Sequence, residues 1–341
     1  MLAAEGEAPQ TWRSGPEETM HDHDQGHEEV VEHAVDRRDF LKRSAAVGAA
    51  AMGLSVFGLG ETPGSARPAA RWWGALAQPN GGQDQWDAVR ALERKVGRRF
   101  GTIHHRFPWT NDLVNSFTRW GVNTGHKPIL GWNGNMPGDG ANIWSAIAAG
   151  NHDGWITSQA RSLRGANWST FIAFHKEPEG EGSPAEYRAA YDRIRRIFDN
   201  VGVRDAKWIV TLTAATYNAG EAQRWLPNRY DLLGVDGYNR AGCSGPWKSF
   251  NQTFAAARNF ARRRGEKLYM IEVGCTESGG GRKADWIADA HRTLKKWPEV
   301  VGFSYNHERT DCTYLIDSSN AALNAFSRMG ADDYFRKRNP R

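Results

Sequence analysis

From Arg71 onward the chain repeats one unit, a short β-rich run followed by an amphipathic stretch, eight times in about 270 residues. The runs are Trp72–Ala75, Gly101–Arg106, Pro128–Trp132, Thr170–His175, Trp208–Thr213, Leu232–Tyr238, Lys267–Val273 and Val301–Tyr305. Most are apolar on consecutive residues rather than alternate ones, which marks strands covered on both faces. The stretches between them carry the helical period. Asp84 to Val96 sets Trp86, Val89, Leu92 and Val96 on one stripe, and Pro184 to Val201 does so with Tyr187, Tyr191, Ile194 and Phe198. Trp247 to Arg264 and Lys283 to Trp297 repeat the pattern. Alternating strands and helices build parallel sheets, and eight such units close into a (β/α)8 TIM barrel of the α/β class. An open doubly wound sheet is the competing arrangement, but no glycine-rich phosphate loop follows the first run. No Pro/Ser-rich linker divides the region. Residues 71–336 therefore read as one barrel, and residues 337–341 as a solvated tail.

The segment before the barrel has a different composition. Residues 1–36 are acidic, lack apolar periodicity and contain His21, His23, His27 and His33. They read as a disordered leader rather than a metal-binding tail. In residues 37–70, Asp36-Arg-Arg-Asp-Phe-Leu-Lys42 precedes an uncharged Ala/Gly-rich run from Ser44 to Gly60. A positive region, a weakly apolar run and small residues beyond it make a secretory signal. The paired arginines fit the twin-arginine export route. The apolar run is short for a stable membrane span, so cleavage near Ala66 or Ala70 is expected over anchoring. The protein is then extracellular or associated with the cell wall.

Charge separates along the same boundary. The chain carries +5 overall; with −9 in residues 1–36 and +3 in residues 37–70, residues 71–341 hold +11. A basic domain is drawn to anionic surfaces such as cell-wall polymers. Nucleic acid is the rival partner, but no basic recognition helix or nucleic-acid motif is present, and a monomer is expected. Fifteen tryptophans are many for this length, and flat apolar rings suit sugar faces, although most tryptophans in any fold are core.

Barrel enzymes place their chemistry at the C-terminal ends of the strands. Those ends are crowded here. They read His104-His-Arg-Phe-Pro-Trp109, Gly131-Trp-Asn-Gly134, His175-Lys-Glu-Pro-Glu179, Asp236-Gly-Tyr-Asn239, Glu272, and Tyr305-Asn-His-Glu308. Glu177 after the fourth run and Glu272 in the seventh form a pair of carboxylates on one rim, as glycosidic bond cleavage requires. Glu177 could instead be an ion-pair partner of Lys176 or Arg106, and Glu179 could be the acid in its place. His104 and His105 have no further ligand at metal spacing and read as walls of the groove. No metal or cofactor is expected. Cys243, Cys275 and Cys312 follow the sixth, seventh and eighth runs. In an oxidising compartment one bridge is expected, Cys243–Cys312 or alternatively Cys275–Cys312.

The His-x-Glu-Pro-Glu text, together with Val235-Asp-Gly-Tyr-Asn239 and Ile271-Glu-Val-Gly274, resembles glycoside hydrolase family 26 of the retaining clan A, which includes β-mannanases. The resemblance covers about residues 72–326. It implies that Glu177 is the general acid/base, that Glu272 is the nucleophile, and that Tyr238 hydrogen-bonds the nucleophile. His175, Trp132, Trp109, Asn239 and His105 are candidate contacts to substrate. In two places the chain departs from the family. Lys176 stands where His usually precedes the acid/base, and Asn306 and His307 stand where a Trp platform is common. The reading is a secreted retaining hydrolase of a β-linked polysaccharide. The alternatives are a glycan-binding barrel without turnover and a lyase or transferase acting on an acidic polymer.

Overall fold

The computed structural model describes residues 70–79, 83–136, 140–278 and 282–336. The leader, the signal segment apart from Ala70, and the tail lie outside these residues. The elements follow in the order β1 (Trp72–Ala77), α1 (Gln85–Val96), β2 (Thr102–Phe107), α2 (Ser116–Asn123), β3 (Lys127–Trp132), α3 (Trp144–Ala149), α4 (Asp153–Ala166), β4 (Thr170–Phe174) and α5 (Pro184–Val201). There follow β5 (Ala206–Thr213), α6 (Ala214–Asn218), β6 (Leu232–Asn239), α7 (Phe250–Arg264), β7 (Leu268–Cys275), α8 (Arg282–Leu294), β8 (Val300–His307) and α9 (Asn320–Ala331). The strands are parallel and close in sequence order into a barrel, as the repeat predicts. Closure is uneven. β1 pairs with β8 over six residues, Trp72↔Gly302 to Ala77↔His307, but with β2 only at Gly74↔Thr102 and Ala75↔Ile103.

Local chemistry sets the helix ends. Asp84 accepts the backbone N–H of Asp87 and starts α1, and Gly97, at φ 71°, ends it in the left-handed region. For α5, Ser183 and Glu186 form a capping box, Pro184 occupies the first turn and Gly202 terminates at φ 89°. Ser249 and Gln252 cap α7, so that helix begins at Phe250 rather than at Trp247. The helices α2, α3, α4, α6 and α9 have no counterpart in the sequence reading. α3 and α6 are too short to show a stripe, and α4 buries the polar Gln159 on its apolar face.

Two cores result. Trp72, Ile129, Phe171, Ala173, Ile209, Tyr269 and Ile271 fill the barrel interior. Alternate strand residues such as Ile103, Phe107, Ile172, Phe174, Met270 and Val273 pack outward against the helices. Tyr187, Tyr191, Ile194 and Phe198 of α5 are fully buried, each contributing about 1.5–3 kcal/mol of transfer free energy before entropy is counted. The packed interior leaves only the rim for polar chemistry.

Candidate active site

Met270, two residues before Glu272 on β7, faces the helices, so plain alternation would turn Glu272 the same way. A bulge redirects it. β6 and β7 pair Val235↔Met270 and then Asp236↔Glu272, leaving Ile271 as the extra residue. The bulge restarts the alternation and aims Glu272 into the barrel mouth. Its side chain is 3% exposed.

Four groups converge on that carboxylate. Arg106 donates to it through two nitrogens, at 3.2 Å and 2.8 Å. Lys176 Nζ lies 2.6 Å from Oε1, and the Tyr238 hydroxyl donates to Oε2 at 2.9 Å. His104 Nδ1 stands at 3.5 Å. Burial alone would raise the Glu272 carboxyl, but the charges of Lys176 and Arg106 outweigh it and hold the group well below the usual carboxylate range. Burial drives His104 well below the ordinary imidazole value, so it is neutral. Tyr238, raised by burial and by Glu272, keeps its proton and donates.

Glu177 reaches the site by a different route. The chain turns sharply after β4, with His175 at φ 40° and Glu177 at φ 54°. Non-glycine residues in this region cost about 1–2 kcal/mol each. The turn is held by the Glu177 N–H, which donates to Thr211 O at 3.1 Å on the neighbouring β5. The Glu177 carboxyl lies in the field of Lys176, Glu272 and Asp236. Burial raises Glu177 in spite of the opposing pull of Lys176, and the charge of Glu272 adds to the rise. Asp236, fully buried, is also raised by burial against the pull of Lys176. It accepts Lys176 Nζ at 2.9 Å and the Glu272 N–H at 2.8 Å. The environment therefore drives the two rim glutamates in opposite directions, Glu272 downward and Glu177 upward.

Glu177, Glu272, Lys176 and Tyr238 thus meet as the sequence suggests. The other candidates do not. Trp109 and Trp132 are buried and stack on each other at 4.4 Å, so they back the wall instead of facing a sugar. His105 points outward, 4.8 Å from the Phe117 ring. Because His104 points inward, the two histidines cannot share a metal. Asn239 donates to Lys248 O and accepts the Ala241 N–H, which fixes its loop. His175 accepts the Gly134 N–H and pairs with Glu181 at 3.0 Å. Glu179 accepts from the backbone and hydroxyl of Thr213 and anchors the end of β5. Cys243 and Cys312 form the bridge, with Cα atoms 5.8 Å apart, and Cys275 is a buried free thiol.

Sequence reasoning gave Arg106, Asp236 and Glu308 no place of their own in the site and read His104 only as a wall of the groove. All four lie inside the quoted motifs, but only strand parity shows that Arg106, Asp236 and His104 face inward. Glu308, just past β8, accepts Arg106 Nη1 at 3.0 Å, and its partner is remote in sequence.

No family model matches the chain, and no curated protein is similar to it. Solved structures of the same fold do match. The catalytic domain of a family 26 endo-β-1,4-mannanase from Bacillus sp. JAMB-750 aligns at a TM-score of 0.57 with 15% identity, over 78% of this chain and 87% of that one. A family 26 β-mannanase from Bacteroides ovatus gives 0.58 and 12%, over 79% and 90%. Fungal β-1,4-galactanases give 0.53 and 12%, over 76% and 100%. At these identities the likeness is one of fold.

Proposed function

We propose that this chain is a retaining glycoside hydrolase of a β-linked polysaccharide. The observation that carries the reading is the split pair: Glu272 held ionised by two cations and Glu177 pushed upward by burial, at the ends of β7 and β4. Glu272 attacks the anomeric carbon while Glu177 gives its proton to the departing glycosidic oxygen. A covalent glycosyl ester forms on Glu272. Glu177, now a carboxylate, takes a proton from water, whose oxygen displaces the ester and restores the starting configuration. Tyr238 fixes the attacking oxygen, and Lys176 keeps Glu272 ionised while holding Asp236 against the Glu177 side. The mannanases and galactanases that share this fold, and the resemblance of the rim motifs to family 26, make a β-mannan or a related glycan the first substrate to offer. The paired arginines at Arg37 and Arg38 support export by the twin-arginine route, and the +11 charge of residues 71–341 supports residence at an anionic cell wall, as a monomer.

The test is reducing-end release from β-mannan, xylan, mixed-linkage glucan and bacterial exopolysaccharide, with the product anomer followed by NMR. The first-formed product should keep the β configuration, and Glu272→Gln should lower the rate by about 10³-fold or more. An inverted product, or full activity in Glu272→Gln, refutes the mechanism. Binding without turnover is the second reading. The grip of Arg106, Lys176 and Tyr238 on both Glu272 oxygens favours it, and glycan binding with no reducing ends released would select it.

A further inference from the structure

A cavity of about 360 Å³ opens beside Glu177, over the C-terminal ends of β5 and β6. Its walls include Glu177, Asp236 and Tyr238 of the carboxylate cluster, together with Thr213, Arg240 and Lys248. A glycan with its scissile oxygen against Glu177 would place an adjoining sugar in this space.

The charges lining it are unbalanced in use. Asp236 is occupied by Lys176 and by the Glu272 N–H, and the charge of Lys176 also bears on Glu177. The two cations are not occupied in this way. Arg240 and Lys248 are exposed, and among the described residues neither pairs with a carboxylate. Arg240 is supported at its head and Lys248 at its backbone. The Arg240 guanidinium lies 5.4 Å from the centre of the Tyr238 ring, and its charge acts on Tyr314. The Lys248 carbonyl accepts Asn239 Nδ2 at 2.7 Å and Trp286 Nε1 at 3.0 Å, which fixes its backbone. A planar fork and a point charge on one rim suit an oxyanion.

We infer that this cavity is a subsite for a sugar bearing an anionic group, a uronate carboxylate or a sulfate ester, with Arg240 and Lys248 as the residues that select it. The inference rests on the glycosidase reading and adds to it a preference for glycans that carry an acidic sugar. A neutral sugar would leave both cations solvated at no cost, so selection works by gain for the acidic ligand rather than by rejection of the neutral one.

The test uses thio-linked β-oligosaccharides, which resist hydrolysis. They are matched in length and carry a neutral hexose, a hexuronic acid or a sulfated hexose, and their binding to the full chain is measured by calorimetry. At low salt the acidic ligands should bind about tenfold more tightly than the neutral one, and about 0.5 M salt should erase the advantage. Lys248→Ala should weaken acidic ligands about tenfold and neutral ones less than twofold, Lys248→Arg should restore most of the loss, and the melting temperature should not change. Preference for the uronate or for the sulfate identifies which anion is read. Equal affinity for neutral and acidic ligands, or indifference to Lys248→Ala, overturns the inference and leaves the glycosidase reading standing. Failure to bind any oligosaccharide overturns both.

Discussion

Lys176→Met is the most informative single change. The ammonium stands 2.6 Å from Glu272 and 2.9 Å from Asp236, with its side chain 10% exposed. At an effective dielectric near 20, each contact is worth about 4 kcal/mol or more. The cost of burying the ammonium cancels much of this, and removing one partner of such a cluster leaves a net loss of about 3–5 kcal/mol. Methionine nearly matches the lysine volume, so the loss is electrostatic rather than a packing defect. At about 2–4 °C per kcal/mol, the melting midpoint should fall by about 10 °C at neutral pH. The pH dependence identifies the cause. Glu272, depressed in the native protein, contributes stability that is present above its unfolded value of 4.5 and lost as pH falls through its lower folded value. Without Lys176 that depression shrinks, and its contribution is lost at a higher pH. Glu177 and Asp236, already raised, rise further. A raised carboxyl contributes stability below its unfolded value and loses it as pH climbs through the folded value, so the variant should be worse at pH 8 than at pH 5. Differential scanning calorimetry at both values checks this. A midpoint drop under about 2 °C, or a drop equal at pH 5 and pH 8, would refute the account of the cluster.

Tyr238→Phe removes the hydroxyl that donates to Glu272 at 2.9 Å; kcat on the best glycan should fall about tenfold to a hundredfold with little change in melting temperature. Reducing the Cys243–Cys312 bridge frees a closed loop of 69 residues' separation and should cost at most about 4 kcal/mol. The barrel should stay folded by circular dichroism while glycan affinity drops, because the loop after β8 carries Glu308 and Tyr314, which support Arg106 and Tyr238. Gly302→Ala would place a methyl carbon 2.2 Å from the buried Tyr269 ring; chemical denaturation should show a loss of about 1–3 kcal/mol or more, and an unchanged midpoint would contradict the packing.

The barrel was legible because each strand is buried on both faces, which leaves continuous apolar runs that periodicity detects without any tertiary knowledge. The rim carboxylates were legible because they follow those runs directly. What could not be read was direction. His104 and His105 are adjacent and chemically identical, and only the packing of Ile103 and Phe107 against the helices shows which of the pair looks inward. Glu272 faces the mouth because of a bulge at Ile271 that has no signature in the text. Trp109 and Trp132 suggested sugar platforms because composition reports how many rings there are, not which way they face. The partnership of Arg106 with Glu308 spans 202 positions, beyond any local pattern.

The uneven closure of the ring bears on how the protein can be made. Three quarters of β1's ladder, six paired residues against two, belongs to β8, the last strand to leave the ribosome. Until residues 300–307 are synthesised, Trp72 to Ala77 have little to pair with, and the interior beneath them stays open. Vectorial synthesis therefore leaves an incomplete sheet with two exposed edges until β8 emerges, and the ring closes only after it. A chain truncated before Val300 should lose the first strand as well as the last, so the two termini of the barrel stand or fall as one cooperative unit.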